Sequence, residues 1–516
     1  MQSKSTQFKN ILALMLFGLV FSTVSQRAEA QYNFSLLHSF NNTDGASPQD
    51  VVTFDSQGNL YGTTSNGGAY DAGTVFKIDS QGNFSLLHSF NYNDPTDGAF
   101  PQASVTVDSQ GNLYGTTELG GANDVANGGD GTVWKMDPNG HHFSLLHSFN
   151  FSDVNEPFAS VTLDRQGNLY GTTELGGSYD HGTVYKIDTQ GNFSLLHSFN
   201  INDSSDGSYP LASVTLDSQG NLYGTTSGGG GYGYGTVFKM DSNGNNFILL
   251  HSFTFPYGAY PQASVTLDSQ GNLYGTTSQG SGYGYGTVFK MDTNGNNFIL
   301  LHSFNIYNRS DGATPTSSVT LDSQGNLYGT TELGGANGGG TVFKIVTLGN
   351  FSLLHSFNSS IRTDGWYPYG VALDSQGNLY GTTLYGGAYA NGNNFGYGTV
   401  FELANNITTP TVSFTYHGFV HRPGSHTISQ QITITNTSGA ALTGPFNLVV
   451  SGLPSNITLI HATGATAFNY PGSPYITLGS SSLAPGASIT VILSFNDPSL
   501  RYISYTPTFL VGNGTP

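Results

Sequence analysis

The chain has 516 residues, with 32 Asp or Glu against 14 Lys or Arg, for a formal charge of −18. That balance excludes nucleic acid as an expected partner, because binding phosphates needs a basic surface. Cysteine is absent, so neither a disulfide framework nor a thiolate ligand or nucleophile is available.

The first thirty residues read as an export signal. Lys4 and Lys9 precede an apolar run from Ile11 to Val24, and Ala28-Glu29-Ala30 closes it as a small-residue cleavage pattern. The run is about 14 residues long, short of the roughly 20 that a membrane-crossing helix requires. The expected product is secreted, in the extracellular space or at the cell surface, with the periplasm as the other location, and without a membrane span. Loss of Lys4, Lys9, Arg27 and Glu29 takes the charge to −20.

The rest of the chain up to about residue 404 is repetitive. Gly-Asn-Leu-Tyr-Gly-Thr-Thr begins at Gly58, Gly111, Gly167, Gly220, Gly271, Gly325 and Gly377, at spacings of 51 to 56 residues. Leu-Leu-His-Ser-Phe and Gly-Thr-Val each recur seven times as well. Every unit holds four short runs of β-branched and aromatic residues divided by Gly, Asn and Asp, which predicts four strands, a to d. In one unit these are Val265–Leu267, Asn272–Thr277, Thr287–Met291 and Phe298–Phe304. Four strands per repeat of this length predict propeller blades.

The array starts with a d strand that has no a, b and c before it (Phe34–Phe40) and stops at a c strand with no d after it (Thr399–Leu403). The predicted fold is therefore all-β: a seven-bladed β-propeller over 31–404, closed by its N-terminal strand so that no strand edge is left open.

The a-to-b connections are Asp-Ser/Arg-Gln-Gly-Asn in every unit, which reads as a hairpin turn. They share one face with the short c-to-d connections. The d-to-a and b-to-c loops share the opposite face and vary: Ser65–Ala72 has eight residues, Glu118–Asp130 thirteen and Leu384–Tyr397 fourteen. Variation on one face of a rigid scaffold points to function there. From about Ile407 the composition turns to Thr, Ser and Pro. Runs at Thr427–Asn436, Phe446–Ser451, Ile457–Ile460 and Ser488–Phe495 predict an immunoglobulin-like β-sandwich over 407–516.

The unit DSQGNLYGTTxxGGxxxxGTVFK, with LLHSF and DGAxP, resembles the GloVer (Gloeobacter/Verrucomicrobia) tandem repeat of exported bacterial proteins, over roughly Asn33 to Leu403. The resemblance implies export and, often, a C-terminal surface-sorting segment. This chain instead ends Val511-Gly512-Asn513-Gly514-Thr515-Pro516, without a hydrophobic tail and basic cluster. The resemblance brings no activity and no site residue with it.

Among ionisable residues the seven repeated histidines, from His38 to His355, stand on seven separate outer strands, so they are expected to be structural rather than one site. An Asp-Gly series in the d-to-a loops contains Asp97, Asp206 and Asp364, the weak calcium candidates. One Asp per loop falls short of a ligand set, turn stabilisation is the favoured reading, and no cofactor is implied. Glu118, Glu174 and Glu332 occupy matching b-to-c positions and read as solvated.

Aromatics are the better signal. Phe100, Tyr209, Tyr260, Trp366 and Tyr367 lie in d-to-a loops, and Tyr70, Tyr179, Tyr232, Tyr234, Tyr283, Tyr285, Tyr389 and Tyr397 in b-to-c loops, all on the variable face; the first five with Tyr389 and Tyr397 are the candidate ligand-binding residues. Packing between loops is the competing reading. An enzyme needs acids and bases that break the repeat. Asp124, Asp130, Glu156, Arg165, Asp180 and His181 do so in the second and third units, with Glu156, Asp180 and His181 as the catalytic set of a glycan-cleaving alternative. The expected function is a non-enzymatic binding or adhesion protein for an extracellular glycan or surface protein. A carbohydrate-active enzyme and a purely structural surface component are the alternatives.

Overall fold

The computed structural model describes residues 32–122, 129–150, 154–346, 349–389, 395–405, 410–422, 424–467, 470–479, 482–497 and 503–512. Residues 1–30, read above as an export signal, and Asp124 lie outside them. Apart from two 3-10 turns, Phe255–Tyr257 and Arg362–Asp364, the regular structure of the described residues is strand.

Residues 33–404 form seven antiparallel four-stranded sheets. Six are built from consecutive a, b, c and d strands, such as Thr266–Leu267, Asn272–Thr277, Thr287–Asp292 and Ile299–Ser303. The other takes a, b and c from Trp366–Leu373, Leu379–Tyr385 and Thr399–Ala404. Its fourth strand is Asn33–Ser39, paired from Asn33 opposite Ala404 to Ser39 opposite Thr399.

The b strand Leu-Tyr-Gly-Thr-Thr is buried on both faces in most sheets, which explains its repeated composition. Its glycine leaves room for the c-strand aromatic: a Cβ on Gly224 would lie 2.4 Å from Phe238 Cζ. The second threonine, at Thr64, Thr117, Thr173, Thr226, Thr277, Thr331 and Thr383, meets the first c-strand threonine at 2.7–2.8 Å between hydroxyls. Each buried hydroxyl is thereby satisfied.

Neighbouring sheets are tied by recurring contacts, the first of them in six sheets, since Ala372 takes the threonine's place in the seventh. An a-strand threonine hydroxyl donates to a carbonyl of the following a strand, as Thr53 does to Val105 and Thr266 to Val319. Each d-strand histidine stacks on the phenylalanine that opens the next d strand, with centroids 3.7–4.6 Å apart and planes within 11°. The stack of His38 on Phe84 and the bond from Thr382 Oγ1 to Asp50 O (2.8 Å) return the circuit from the seventh sheet to the first. Apolar cores lie between neighbouring sheets; one holds Tyr223, Val237 and Phe253 against Val265, Leu273 and Phe289.

The histidines and the Asp-Gly aspartates hold each other. His38, His88, His197, His302 and His355 reach Asp44, Asp97, Asp206, Asp311 and Asp364 at 2.9–3.2 Å. Asp97 also accepts from the Asn91 and Gly98 amides. His251 departs: Tyr257 stands six residues after it, where Asp44 stands six after His38. Burial pushes its pKa down to about 4.

The folded protein therefore keeps His251 neutral while the unfolded chain protonates near 6.5. This stability is complete above pH 6.5 and is lost as pH falls towards 4, by about 2 kcal/mol at pH 5. Tyr257→Asp should supply the missing carboxylate and remove that part of the acid sensitivity. Thermal unfolding at pH 7.5 and 5 checks it, and an unchanged pH dependence would refute the pairing.

Beyond the repeats lie two further four-stranded antiparallel sheets. Val412–His421, Thr427–Asn436, Ser488–Asn496 and Thr458–Leu459 make one; Gly464–Ala465, Pro474–Gly479, Phe446–Ser451 and Thr506–Val511 make the other. Ile432, Ile434, Leu448, Val450, Leu493, Phe495 and Phe509 form their common core.

Candidate functional site

On the variable face, the d-to-a and b-to-c loops of one unit pair with each other. Gly98–Ala99 bonds Leu119–Gly120, and Gly207–Ser208 bonds Gly228–Gly229. The next residue is left-handed in all seven units: Ser47, Phe100, Glu156, Tyr209, Tyr260, Thr314 and Tyr367, at φ 56–59°. For non-glycine residues this costs on the order of 1 kcal/mol each, and it is imposed by hydrogen bonds on both sides. The Tyr209 amide, for instance, donates to His181 O of the preceding unit, while its carbonyl accepts from Ser227 N.

This turn sends the chain inward. The residues that follow, Gln49, Gln102, Phe158, Leu211, Gln262, Thr316 and Tyr369, line a single cavity of about 320 Å³ to which all seven units contribute. Beneath them, Asp50 stands where other units carry Ala103, Ala159, Ala212, Ala263, Ser317 and Gly370. Its carboxylate accepts from the Val51 amide at 2.7 Å and the Ser104 amide at 2.9 Å, yet burial raises its pKa. Glu332 lines the same cavity and is also raised by burial. The Tyr369 phenol is pushed up by burial first, then by Glu332, Tyr385 and Asp50. This cavity was not anticipated. Asp50 breaks the repeat at a single position, and a unit-by-unit comparison of the third residue before each a strand would have revealed it.

The acids of the second and third units do meet. Burial raises Glu156 first, followed by the charges of Glu118, Asp180 and Asp130. Glu174 is raised by burial and then by Glu156 and Glu118. Glu118 accepts Gln102 Nε2 at 2.6 Å. Glu118, Glu174 and Glu332 are thus partly buried rather than freely solvated, because the inward turn folds the loops over them. Asp180 braces its own loop from Gly176 N at 3.0 Å, as Asp71 does from Gly67 N. His181 packs edge-on against Tyr209 at 5.3 Å. Arg165 does not join them: its hairpin lies on the opposite face, in a cleft with Asp108 and Asp188.

Phe100, Tyr209, Tyr260, Tyr367 and Tyr397 are partly buried. Trp366 is 8% exposed and packs on Tyr385 and Phe395, so it fills the loop layer rather than presenting a face. Tyr70, Tyr179, Tyr232, Tyr283 and Tyr389, in five b-to-c loops, are each at least half exposed. Of these only Tyr389 belonged to the candidate set. Among the described residues no group of three or more His, Asp or Glu is arranged to hold a metal ion. The oxygens of Asp97, Asp206 and Asp364 are engaged by histidine and loop amides. No helix of the described residues is long and apolar enough to cross a membrane.

Among solved structures, the chain is similar to the extracellular domain of a protein described as a hybrid two component system from B. thetaiotaomicron. The identity is 11% and the TM-score 0.48, over 78% of this chain and 46% of that one, so the chain spans under half of its length. An unknown-function protein from Dyadobacter fermentans aligns at 10% identity and TM-score 0.38, over 73% of this chain and 98% of that one. A protein described as a 6-phosphogluconolactonase from Bacteroides fragilis aligns at 16% identity and TM-score 0.39, over 64% and 86%. No curated protein matches the chain. The pattern of the Gloeobacter/Verrucomicrobia repeat matches residues 18–217, 123–321 and 215–441. Together these spans take in every repeat, and the chain belongs to the Gloeobacter/Verrucomicrobia repeat family.

Proposed function

We propose that this chain is an exported, non-enzymatic binding protein. In this reading residues 31–404 are a seven-bladed propeller closed by the N-terminal strand, the loop face engages an extracellular glycan, and the C-terminal immunoglobulin-like sandwich is a spacer or attachment module. The observation that carries it is the set of half-exposed tyrosines at Tyr70, Tyr179, Tyr232, Tyr283 and Tyr389, repeated on loops that surround one cavity. Rigid amphipathic rings present broad contact area at low entropic cost and suit the apolar faces of sugar rings. The carboxylates of Glu118, Glu156, Glu174 and Glu332 beside the cavity favour a neutral glycan over a polyanionic one.

The test is binding of residues 31–516 to neutral and acidic polysaccharide arrays, with reducing-end release read from the same wells. Binding to neutral glycans without release is expected. Tyr232→Ala with Tyr283→Ala should weaken it about tenfold, at 0.5–1.5 kcal/mol per lost ring contact. Unaltered binding in the double variant, or none in the wild type, would refute the reading. The second reading, a carbohydrate-active enzyme, draws on Glu156, whose carboxyl is raised as a general acid requires. Release of reducing ends, lost in Glu156→Gln, would select it.

A further inference from the structure

Six of the seven sheets place a c-strand lysine over the ring of the b-strand tyrosine. Lys77, Lys135, Lys186, Lys239, Lys290 and Lys344 sit 5.0–5.4 Å from the centroids of Tyr61, Tyr114, Tyr170, Tyr223, Tyr274 and Tyr328. In the sheet closed by the N-terminal strand, the residue opposite Tyr380 is Glu402. There the Tyr380 hydroxyl donates to Glu402 Oε1 at 2.9 Å, and Ser35 Oγ donates to Oε2 at 3.2 Å. The repeat has replaced a cation by an anion at one place.

That place borders a cavity. Between the seventh and first sheets, on the hairpin face, a space of about 700 Å³ is lined by Tyr380, Glu402, Asp374, Phe54, Asp55 and Asp79. The corresponding clefts elsewhere are smaller and contain the lysine: about 490 Å³ with Lys135 and about 590 Å³ with Lys290. No lysine or arginine lines the cavity at the seam.

Phe54 is a second departure, since the other units carry Val107, Leu163, Leu216, Leu267, Leu321 and Leu373. Its ring meets Tyr380 at 5.2 Å and 88°. Asp374 is held in place at Oδ1 by the Gln376 and Asn378 amides and at Oδ2 by Asn378 Nδ2 and, at 3.4 Å, the Tyr380 hydroxyl, all of them uncharged donors.

We infer that the seam cavity between the seventh and first sheets binds a primary alkylammonium group, seated between Tyr380, Phe54 and the carboxylates of Glu402 and Asp374. The six other sheets are the internal comparison: beside the same tyrosine and turn aspartate each holds an ammonium, supplied by its own lysine. Aromatic faces together with carboxylates bind such a group through cation–π attraction and charge-assisted hydrogen bonds. An organic cation fits better than a metal ion, because no three carboxylates among the described residues converge as metal ligands and the space exceeds what a bare ion fills. The site stands on the face opposite the tyrosine loops and is independent of glycan binding.

The experiment is calorimetric titration of residues 31–516 with n-butylammonium chloride at constant ionic strength, beside an end-blocked lysine peptide and calcium chloride. One saturable site for the amine is expected, weakened at least tenfold in Glu402→Lys. That variant carries the residue six sheets already accept, so its unfolding temperature should not fall. Glu402→Gln, which keeps the side-chain size, should also weaken binding and serves if the lysine variant fails to fold. Tighter binding of the peptide identifies a protein lysine as the source of the ammonium; equal binding identifies a free amine. Absence of saturable amine binding, equal affinity in both variants, or calcium saturating the same Glu402-dependent site would overturn the inference.

Discussion

Replacing Phe40 with alanine is expected to cost about 3–5 kcal/mol, the range for truncating a fully buried phenylalanine, and to release the closing strand. Phe40 has no exposed surface and packs with Val52, Leu60, Phe76, Ile78 and Val400, residues of the first and last sheets. Its amide donates to Gly398 O at 3.1 Å. It follows directly on Asn33–Ser39, which reaches its sheet across more than 350 residues of chain. Loss of the ring therefore removes the anchor of a strand that no short loop holds in place. Hydrogen exchange should quicken at residues 33–39 and 399–404. Phe199→Ala, at the equivalent position of an internal sheet, should cost as much while leaving those amides protected. If Phe40→Ala leaves their protection unchanged, the closing strand is held by something other than this contact.

The second large effect is expected at Gly235. Its φ is +94°, and a Cβ there would lie 2.4 Å from Thr226 O and 2.7 Å from Pro261 Cδ of the next unit. Gly73, Gly131, Gly182, Gly286, Gly340 and Gly398 meet Pro101, Pro157, Pro210, Pro315, Pro368 and Pro48 in the same way. Backbone strain of about 1–2 kcal/mol and overpacking of about 1–3 kcal/mol put Gly235→Ala at about 2–5 kcal/mol. Gly233 has φ +76° but nothing within 4 Å of its Cβ position, so Gly233→Ala should cost about 1 kcal/mol. Calorimetric melts of the two variants separate these cases, and equal losses would show that the glycine–proline contact yields easily.

Much of the repeat region is legible because its signals are local. The c strand read as Thr287–Met291 is Thr287–Asp292, and the b strand Asn272–Thr277 is as read. Pairing of the first strand with the last c strand follows from counting strands against repeats. In the C-terminal region Thr427–Asn436 alternates buried and less buried residues and is easily seen. Val412–His421 is largely exposed along one edge, so no buried stripe announces it.

The candidate site was less legible. Tyrosine and phenylalanine do not signal a left-handed backbone, yet Phe100, Tyr209, Tyr260 and Tyr367 adopt one because the preceding unit holds their amide and, at Phe100, Tyr209 and Tyr260, the unit's own b-to-c loop holds the carbonyl. Trp366, the most conspicuous aromatic of the loops, proved to be covered by Tyr385 and Phe395. Asp50 and Glu402 were visible as departures from the repeat, but their meaning depends on what the adjacent sheet places beside them.

The sequence by itself determined most of the repeat strands, their order and the hairpins. Those features rest on bonds within a unit, such as Asp268 Oδ1 accepting from the Gln270 and Asn272 amides, and a short string encodes them wherever it recurs. Only the tertiary structure decided which acids of the second and third units meet, which tyrosines remain open, where the cavity shared by the seven units lies, and that a second cavity opens beside Glu402. These depend on what a neighbouring unit places alongside, as where Thr63 reaches Ala103, or on the return of the N-terminal strand, as where Ser35 reaches Glu402, and neither is written in any one repeat.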